Sequence, residues 1–99
     1  MTMVFNKISI IGLGLIGTSI LHAIKVKEDK EVITFAYDIN PEHRSIVSQM
    51  KIANYVCDNI KEAIKNSDLI ILAIPVGAMK SVADLIGPHL KPEALVTDT

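Results

Sequence analysis

The sequence has one cysteine, no tryptophan and only four aromatic residues, two Phe and two Tyr. A lone Cys57 excludes an intramolecular disulfide and a cysteine-cluster metal site. No excess of one charge is present either. Ten Lys and Arg stand against 11 Asp and Glu, a net charge of −1, which leaves no electrostatic footprint for nucleic acid or an anionic membrane. No apolar run approaches the roughly 18 residues of a membrane span. Met1 to Lys7 lacks the basic-then-apolar layout of a signal peptide. There is no repeat, linker or low-complexity tract, and 99 residues leave room for one domain, not two. The expectation is a single cytoplasmic domain over residues 1–99.

What the chain has in abundance is aliphatic residues: 16 Ile, 8 Val and 8 Leu. This excess suits strands buried on both faces. Apolar runs alternate with amphipathic segments in a βαβ rhythm. The run Ile8-Ser9-Ile10-Ile11 is a first strand, ended by Gly12. Ile16, Ile20 and Ile24, with Leu21 and Ala23 beside them, give a helical face opposite Thr18, His22 and Lys25. Glu28 to Glu31 is a polar turn, and Val32 to Tyr37 a second strand. Asn40-Pro41-Glu42 starts a helix with Ile46, Val47 and Met50 as its buried stripe. Tyr55-Val56-Cys57 is a short strand with Cys57 a small buried hydrophobe, and Asp58 is a candidate cap for a helix whose apolar face is Ile60, Ala63 and Ile64. Leu69 to Ile74 is a continuous apolar run, the pattern of a central parallel strand, stopped by Pro75. Met79, Val82, Ala83 and Ile86 predict one more helix before Gly87-Pro88, and Ala94 to Thr97 a last strand. Five strands and four helices in strict alternation predict a Rossmann-type α/β fold: an open, doubly wound parallel sheet of order 3-2-1-4-5, with ligands bound at the switch point beside the first strand.

Gly12-Leu13-Gly14-Leu15-Ile16-Gly17 is a G-x-G-x-x-G pattern between a predicted strand and a predicted helix, the context that makes it informative. Gly12 permits the tight turn, Gly14 lets a pyrophosphate approach the backbone, and Gly17 lets the helix pack closely. The amides of Leu15 and Ile16 fall at the helix N-terminus, where the dipole favours a phosphate. The plainer reading is a glycine-rich turn that only packs. Asp38 ends the second strand 21 residues after Gly17, where an acidic residue accepts from the adenosine ribose hydroxyls and repels a 2′-phosphate. NAD is therefore favoured over NADP. Arg44 stands too far along the next helix to be assigned to that phosphate, and Asn40 reads as a helix cap. The plainer reading of Asp38 is a solvated strand-end residue. Ala73, Pro75 and Val76 lie just past the carboxyl end of the fourth strand and would line the cofactor, or form only a strand-to-helix turn. Asp98 and Thr99 close the fifth strand on the same edge. His22, His43 and His89 read as surface residues without metal spacing, so neither a catalytic nor a metal site is assigned.

Taken together, Ile11 to Gly17, Tyr37-Asp38 with Asn40-Pro41, Leu72-Ala73-Ile74-Pro75-Val76-Gly77, Pro88 to Pro92 and Val96-Thr97-Asp98 resemble the start of the prephenate dehydrogenase family, which includes arogenate and cyclohexadienyl dehydrogenases. The resemblance runs through the whole chain but covers only the cofactor half of the family's architecture. It implies oxidation of prephenate or arogenate with hydride transfer to NAD⁺ or NADP⁺ and loss of CO₂, in tyrosine biosynthesis. It also implies that Gly12, Gly14, Leu15, Ile16, Gly17 and Asp38 hold the dinucleotide and that Ala73, Pro75 and Val76 line it. The chain departs from the family at Thr18, where a further glycine is usual, and it stops at Thr99. The family continues into a Gly-Ser-x-Lys turn, a catalytic histidine and a helical domain that forms the substrate pocket and the dimer. The resemblance therefore implies a binding domain without catalysis of its own, able to pair into a homodimer through the surface that domain would cover. The cofactor domain of another reductase, acting on a hydroxyacid or pyrroline carboxylate, and a non-catalytic dinucleotide sensor stay open as alternatives.

Overall fold

In a computed structural model that describes residues 5–27 and 30–99, five strands form one wholly parallel sheet in the order β3-β2-β1-β4-β5. The strands are β1 (Lys7–Ile11), β2 (Ile33–Tyr37), β3 (Tyr55–Val56), β4 (Leu69–Leu72) and β5 (Leu95–Asp98). Helices α1 (Leu15–Val26), α2 (Pro41–Met50), α3 (Ile60–Ile64) and α4 (Val76–Ile86) alternate with them, and a 3-10 turn over Gly87–His89 follows α4. The order, the parallel sense and the alternation are those expected from the sequence. The fourth strand is shorter than its apolar run, because Ala73 and Ile74 already belong to the turn into α4.

Helices cover the sheet on both faces, each face with its own core. Ile8, Ile10, Leu21, Ala36 and Val47 pack on the side of α1 and α2. Ile11, Ile64, Ile70, Leu72 and Ile86 pack on the side of α3 and α4. Ile10 and Ile70, both fully buried, anchor the two central strands. Burial of this kind, worth about 2 kcal/mol per aliphatic side chain, is the main force joining the layers.

Several expectations about faces are corrected. Only Val47 of the α2 stripe is buried, because β3 is two residues long and gives α2 little sheet to cover; Ile46 and Met50 are exposed. Ile16, Ala23 and Ala83 are exposed as well; the buried residues of α1 are Gly17 and Leu21. Asn59, not Asp58, caps α3, its side chain accepting from the Glu62 amide at 2.9 Å. Cys57 is buried but follows β3, its amide donating to the Ala36 carbonyl. Every residue of β5 is exposed, so burial on both faces does not extend to that edge strand. The expected polar turn includes Glu28 and Asp29, which lie outside the described residues.

Polar residues brace the amino edge and the interior. Asp68 Oδ2 accepts from the amides of Asn6 and Lys7 at 2.8 and 2.9 Å, and its other oxygen pairs with Lys91 Nζ. Buried Ser9 and Ser67 share a hydroxyl contact, and both donate to the Ala63 carbonyl. These bonds carry α3 and the start of β4 onto β1.

Candidate functional site

Strand register brings the candidate residues to one edge. Ile11 pairs with Tyr37 on one side and Leu72 on the other, and Leu72 pairs with Asp98. The next residues, Gly12, Asp38, Ala73 and Thr99, therefore stand side by side past the carboxyl ends of β1, β2, β4 and β5. Helices α1 and α4 begin at the same edge, on opposite faces of the sheet. This is the switch point between β1 and β4, where an open α/β sheet leaves a crevice.

Two of the motif glycines are required by the protein itself. Gly12 has φ +103°, and a Cβ there would come within 2.2 Å of the Ala73 carbonyl oxygen. A Cβ on Gly17 would lie 1.8 Å from the Gly12 carbonyl oxygen, so α1 crosses its own entry loop at backbone contact. Gly14 differs: its φ is −75°, and a Cβ there would meet nothing within 4 Å. The fold does not need a glycine at that position. A ligand approaching the backbone there would need the space that a Cβ would fill.

Gly14 is also the N-cap of α1, with no side-chain cap and no acidic residue in the first turn. The amides of its first turn are therefore met neither by an N-cap side chain nor by an acidic side chain of that turn. Leu15 and Ile16 are exposed beside them, 85% and 56%. Thr18 turns its hydroxyl back to the Leu13 carbonyl at 3.2 Å, which braces the loop.

Asp38 is tied into this loop. Its Oδ2 accepts from the Leu13 amide at 2.7 Å and lies 3.2 Å from His43 Nδ1; its Oδ1 accepts from the Asn40 amide at 2.8 Å. Burial pushes the carboxyl pKa up, but these hydrogen bonds and the His43 contact outweigh it and hold the carboxyl below its ordinary value. Asn40 caps α2 by accepting from the Glu42 amide at 2.9 Å, as expected.

The second turn past β4 is simpler. The Ala73 amide donates to the Ile11 carbonyl, Pro75 caps α4 without a side-chain bond, and Val76 is 88% exposed.

One expectation fails here: His43 is half-buried against Asp38 and is not a plain surface residue. Its neighbour Arg44 donates from Nη1 to the Asp38 carbonyl at 2.8 Å, and its guanidinium lies over the Tyr37 ring. Both were hidden because α2 turns back over the end of β2 directly after the Pro41 corner. Their signal is the spacing from Asp38, five and six residues across a capped helix start, which returns the first helical turn to the strand end. His22 and His89 are exposed, as expected. Among the described residues no group of three His, Cys, Asp or Glu could hold a metal, and no helix is long and apolar enough to cross a membrane.

A parallel sheet with a glycine turn at its switch point, an uncapped helix start and an acidic residue closing the second strand define a nucleotide-binding domain of the Rossmann type. Within that class the chain belongs to the family described as prephenate dehydrogenase, nucleotide-binding domain, whose model matches residues 22–99. The glycine turn precedes that match, but a cyclohexadienyl dehydrogenase of Zymomonas mobilis is 38% identical over 96 residues, 97% of the chain. The chain spans 32% of that enzyme's length. The fold is that of a prephenate dehydrogenase from A. aeolicus, solved with hydroxyphenyl propionate and NAD⁺ (TM-score 0.85, 23% identity, 99% of this chain and 34% of that one). It is also that of a Synechocystis arogenate dehydrogenase (TM-score 0.84, 22% identity, 94% of this chain and 32% of that one).

Proposed function

We propose that the chain is the NAD-binding domain of a cytoplasmic oxidoreductase that acts on prephenate or arogenate. Gly14 carries the reading: it is a glycine the fold does not need, at the N-terminus of an uncapped helix. The amides of Leu15 and Ile16 hold the pyrophosphate, supported by the dipole of α1. Gly12 and Gly17 shape the turn that presents them. Asp38 accepts from the adenosine ribose, and Ala73, Pro75 and Val76 line the cofactor where it crosses toward β4. NAD⁺ supplies the hydride acceptor; this chain binds and orients it. The relatives are about three times as long, and the resemblance assigns the catalytic histidine to a segment beyond Val96-Thr97-Asp98. The chain by itself is therefore a binding domain and does not turn over prephenate. Exposed Leu95 and Val96 on β5 support self-association into a homodimer, which sedimentation would register as a single species of twice the 10.8 kDa mass.

The test is the melting temperature of the purified chain with and without millimolar NAD. Ligand at a hundred times its Kd stabilises by about 2.7 kcal/mol, a rise of several degrees for a domain of this size. An unchanged melting curve at millimolar NAD defeats the proposal.

A further inference from the structure

A glycine at position 14 has two consequences that pull in opposite directions. Without a Cβ it leaves room for a ligand, and without a Cβ it leaves its own backbone free to turn. The Leu13–Gly14 peptide is nevertheless held. The Thr18 hydroxyl donates to the Leu13 carbonyl at 3.2 Å and is the one hydrogen-bond donor to that carbonyl among the described residues. The Thr18 amide donates to the next carbonyl, that of Gly14, at 3.0 Å. Any residue at this place in a helix makes the second bond, whereas the first needs a side-chain donor. In a trans peptide the N–H points away from the C=O. Pinning the Leu13 carbonyl toward Thr18 therefore turns the Gly14 amide the other way, and pinning the Gly14 carbonyl does the same for the Leu15 amide. Neither amide donates to a protein group among the described residues. On its other side Leu13 is held through its amide by Asp38, so both peptide planes of residue 13 are fixed. Thr18 is half-buried and stands where the family that the sequence resembles usually has a further glycine, so this hydroxyl bond belongs to this chain and not to the family's pattern.

We infer that Thr18 is a positioning residue for the pyrophosphate: its hydroxyl locks the Leu13–Gly14 peptide in the orientation that presents the Gly14 N–H to a phosphate oxygen. This role rests on the dinucleotide reading above and adds a third donor to the amides of Leu15 and Ile16. It also answers the freedom that Gly14 introduces. The glycine makes the approach possible, and the hydroxyl removes the rotation that would otherwise have to be frozen when the ligand arrives.

The experiment is calorimetric titration with NAD of the unaltered chain and of the variants Thr18→Val and Thr18→Ser, at a temperature where all are folded, with amide NMR spectra along each titration. Thr18→Val keeps the branched shape and removes the hydroxyl, and its Kd should rise about fivefold to tenfold, the loss of one hydrogen bond to a charged group. Thr18→Ser restores the hydroxyl and should bind within about twofold of the unaltered chain. The Gly14 amide, one of five glycine signals and identified by its loss in Gly14→Ala, should move on addition of NAD in the unaltered chain and in Thr18→Ser, and less in Thr18→Val. A brace with no part in binding would lower the melting temperature of Thr18→Val and leave its Kd unchanged; that result overturns the inference and leaves the NAD reading intact. Equal losses of affinity in Thr18→Val and Thr18→Ser do the same. So does a Gly14 signal that stays still while NAD binds the unaltered chain, a measurement that stands even where Thr18→Val does not fold. Absence of NAD binding to the unaltered chain overturns both.

Discussion

The Leu13 amide donates to Asp38 Oδ2 at 2.7 Å across a sequence separation of 25 residues. This bond joins the glycine turn after β1 to the end of β2. The Leu13 side chain is buried in the core beside Ile10 and Leu21, which fixes the direction in which its amide points. Helix packing thereby sets the spacing between the glycine turn and Asp38.

The three motif glycines should separate folding from binding. Gly14→Ala places a methyl in open space at an ordinary φ, so the melting temperature should stay within a degree or two while NAD affinity falls about tenfold or more. Gly17→Ala drives a methyl into the Gly12 carbonyl and should cost about 3 kcal/mol, a value that thermal or urea unfolding would report. Equal loss of stability in the two variants would contradict this division.

Acid should weaken the fold through Asp38 and Asp68. The Lys91 contact and the amides of Lys7 and Asn6 hold the Asp68 carboxyl below its ordinary value, as the glycine turn and His43 do for Asp38. A carboxyl depressed in the folded state favours the ionised fold. Its contribution is complete above the unfolded value of about 4 and is lost as pH falls from there through the lower folded values. Urea midpoints between pH 6 and pH 2 should show this decline, and the Asp68→Asn variant should show a shallower one.

Asp68 also offers a control for site. It braces the amino edge, on the opposite side of the sheet from the glycine turn. Asp68→Asn should lower stability yet leave NAD affinity within about twofold for the fraction that is folded, whereas Asp38→Asn should weaken binding about tenfold. Titration at a temperature where both variants are folded distinguishes the two edges.

Ser9 is buried and hydroxyl-bonded to Ala63 and Ser67 at the seam between β1 and α3. Replacing it with Ala leaves Ser67 to serve the Ala63 carbonyl alone and should cost about 1–2 kcal/mol by chemical denaturation. A Ser9→Ala, Ser67→Ala double variant should lose more than the sum of the two single changes, because either hydroxyl alone still serves the Ala63 carbonyl and only the double change removes both donors.

By itself the sequence determined the sheet. Alternation of aliphatic runs with amphipathic segments admits few arrangements once crossovers must be right-handed, and the order 3-2-1-4-5 follows from that rule with the glycine turn at its switch point. The candidate edge was equally legible at Gly12 and Asp38, which directly follow the first two apolar runs, whereas Ala73 lay inside the fourth run until the structure ended β4 at Leu72. What only the tertiary structure decided were the faces and contacts of residues whose neighbours are distant in sequence. Ile46 and Met50 fit a helical stripe but meet no sheet, because β3 ends after two residues. His43 and Arg44 look like solvated helix residues until α2 folds back onto the end of β2 and brings them against Asp38. Gly14 looks like its two companions until the surrounding backbone is in place, and then only Gly14 faces open space. Periodicity records which way a side chain points along its own element. Whether anything stands there depends on the lengths and packing of the others.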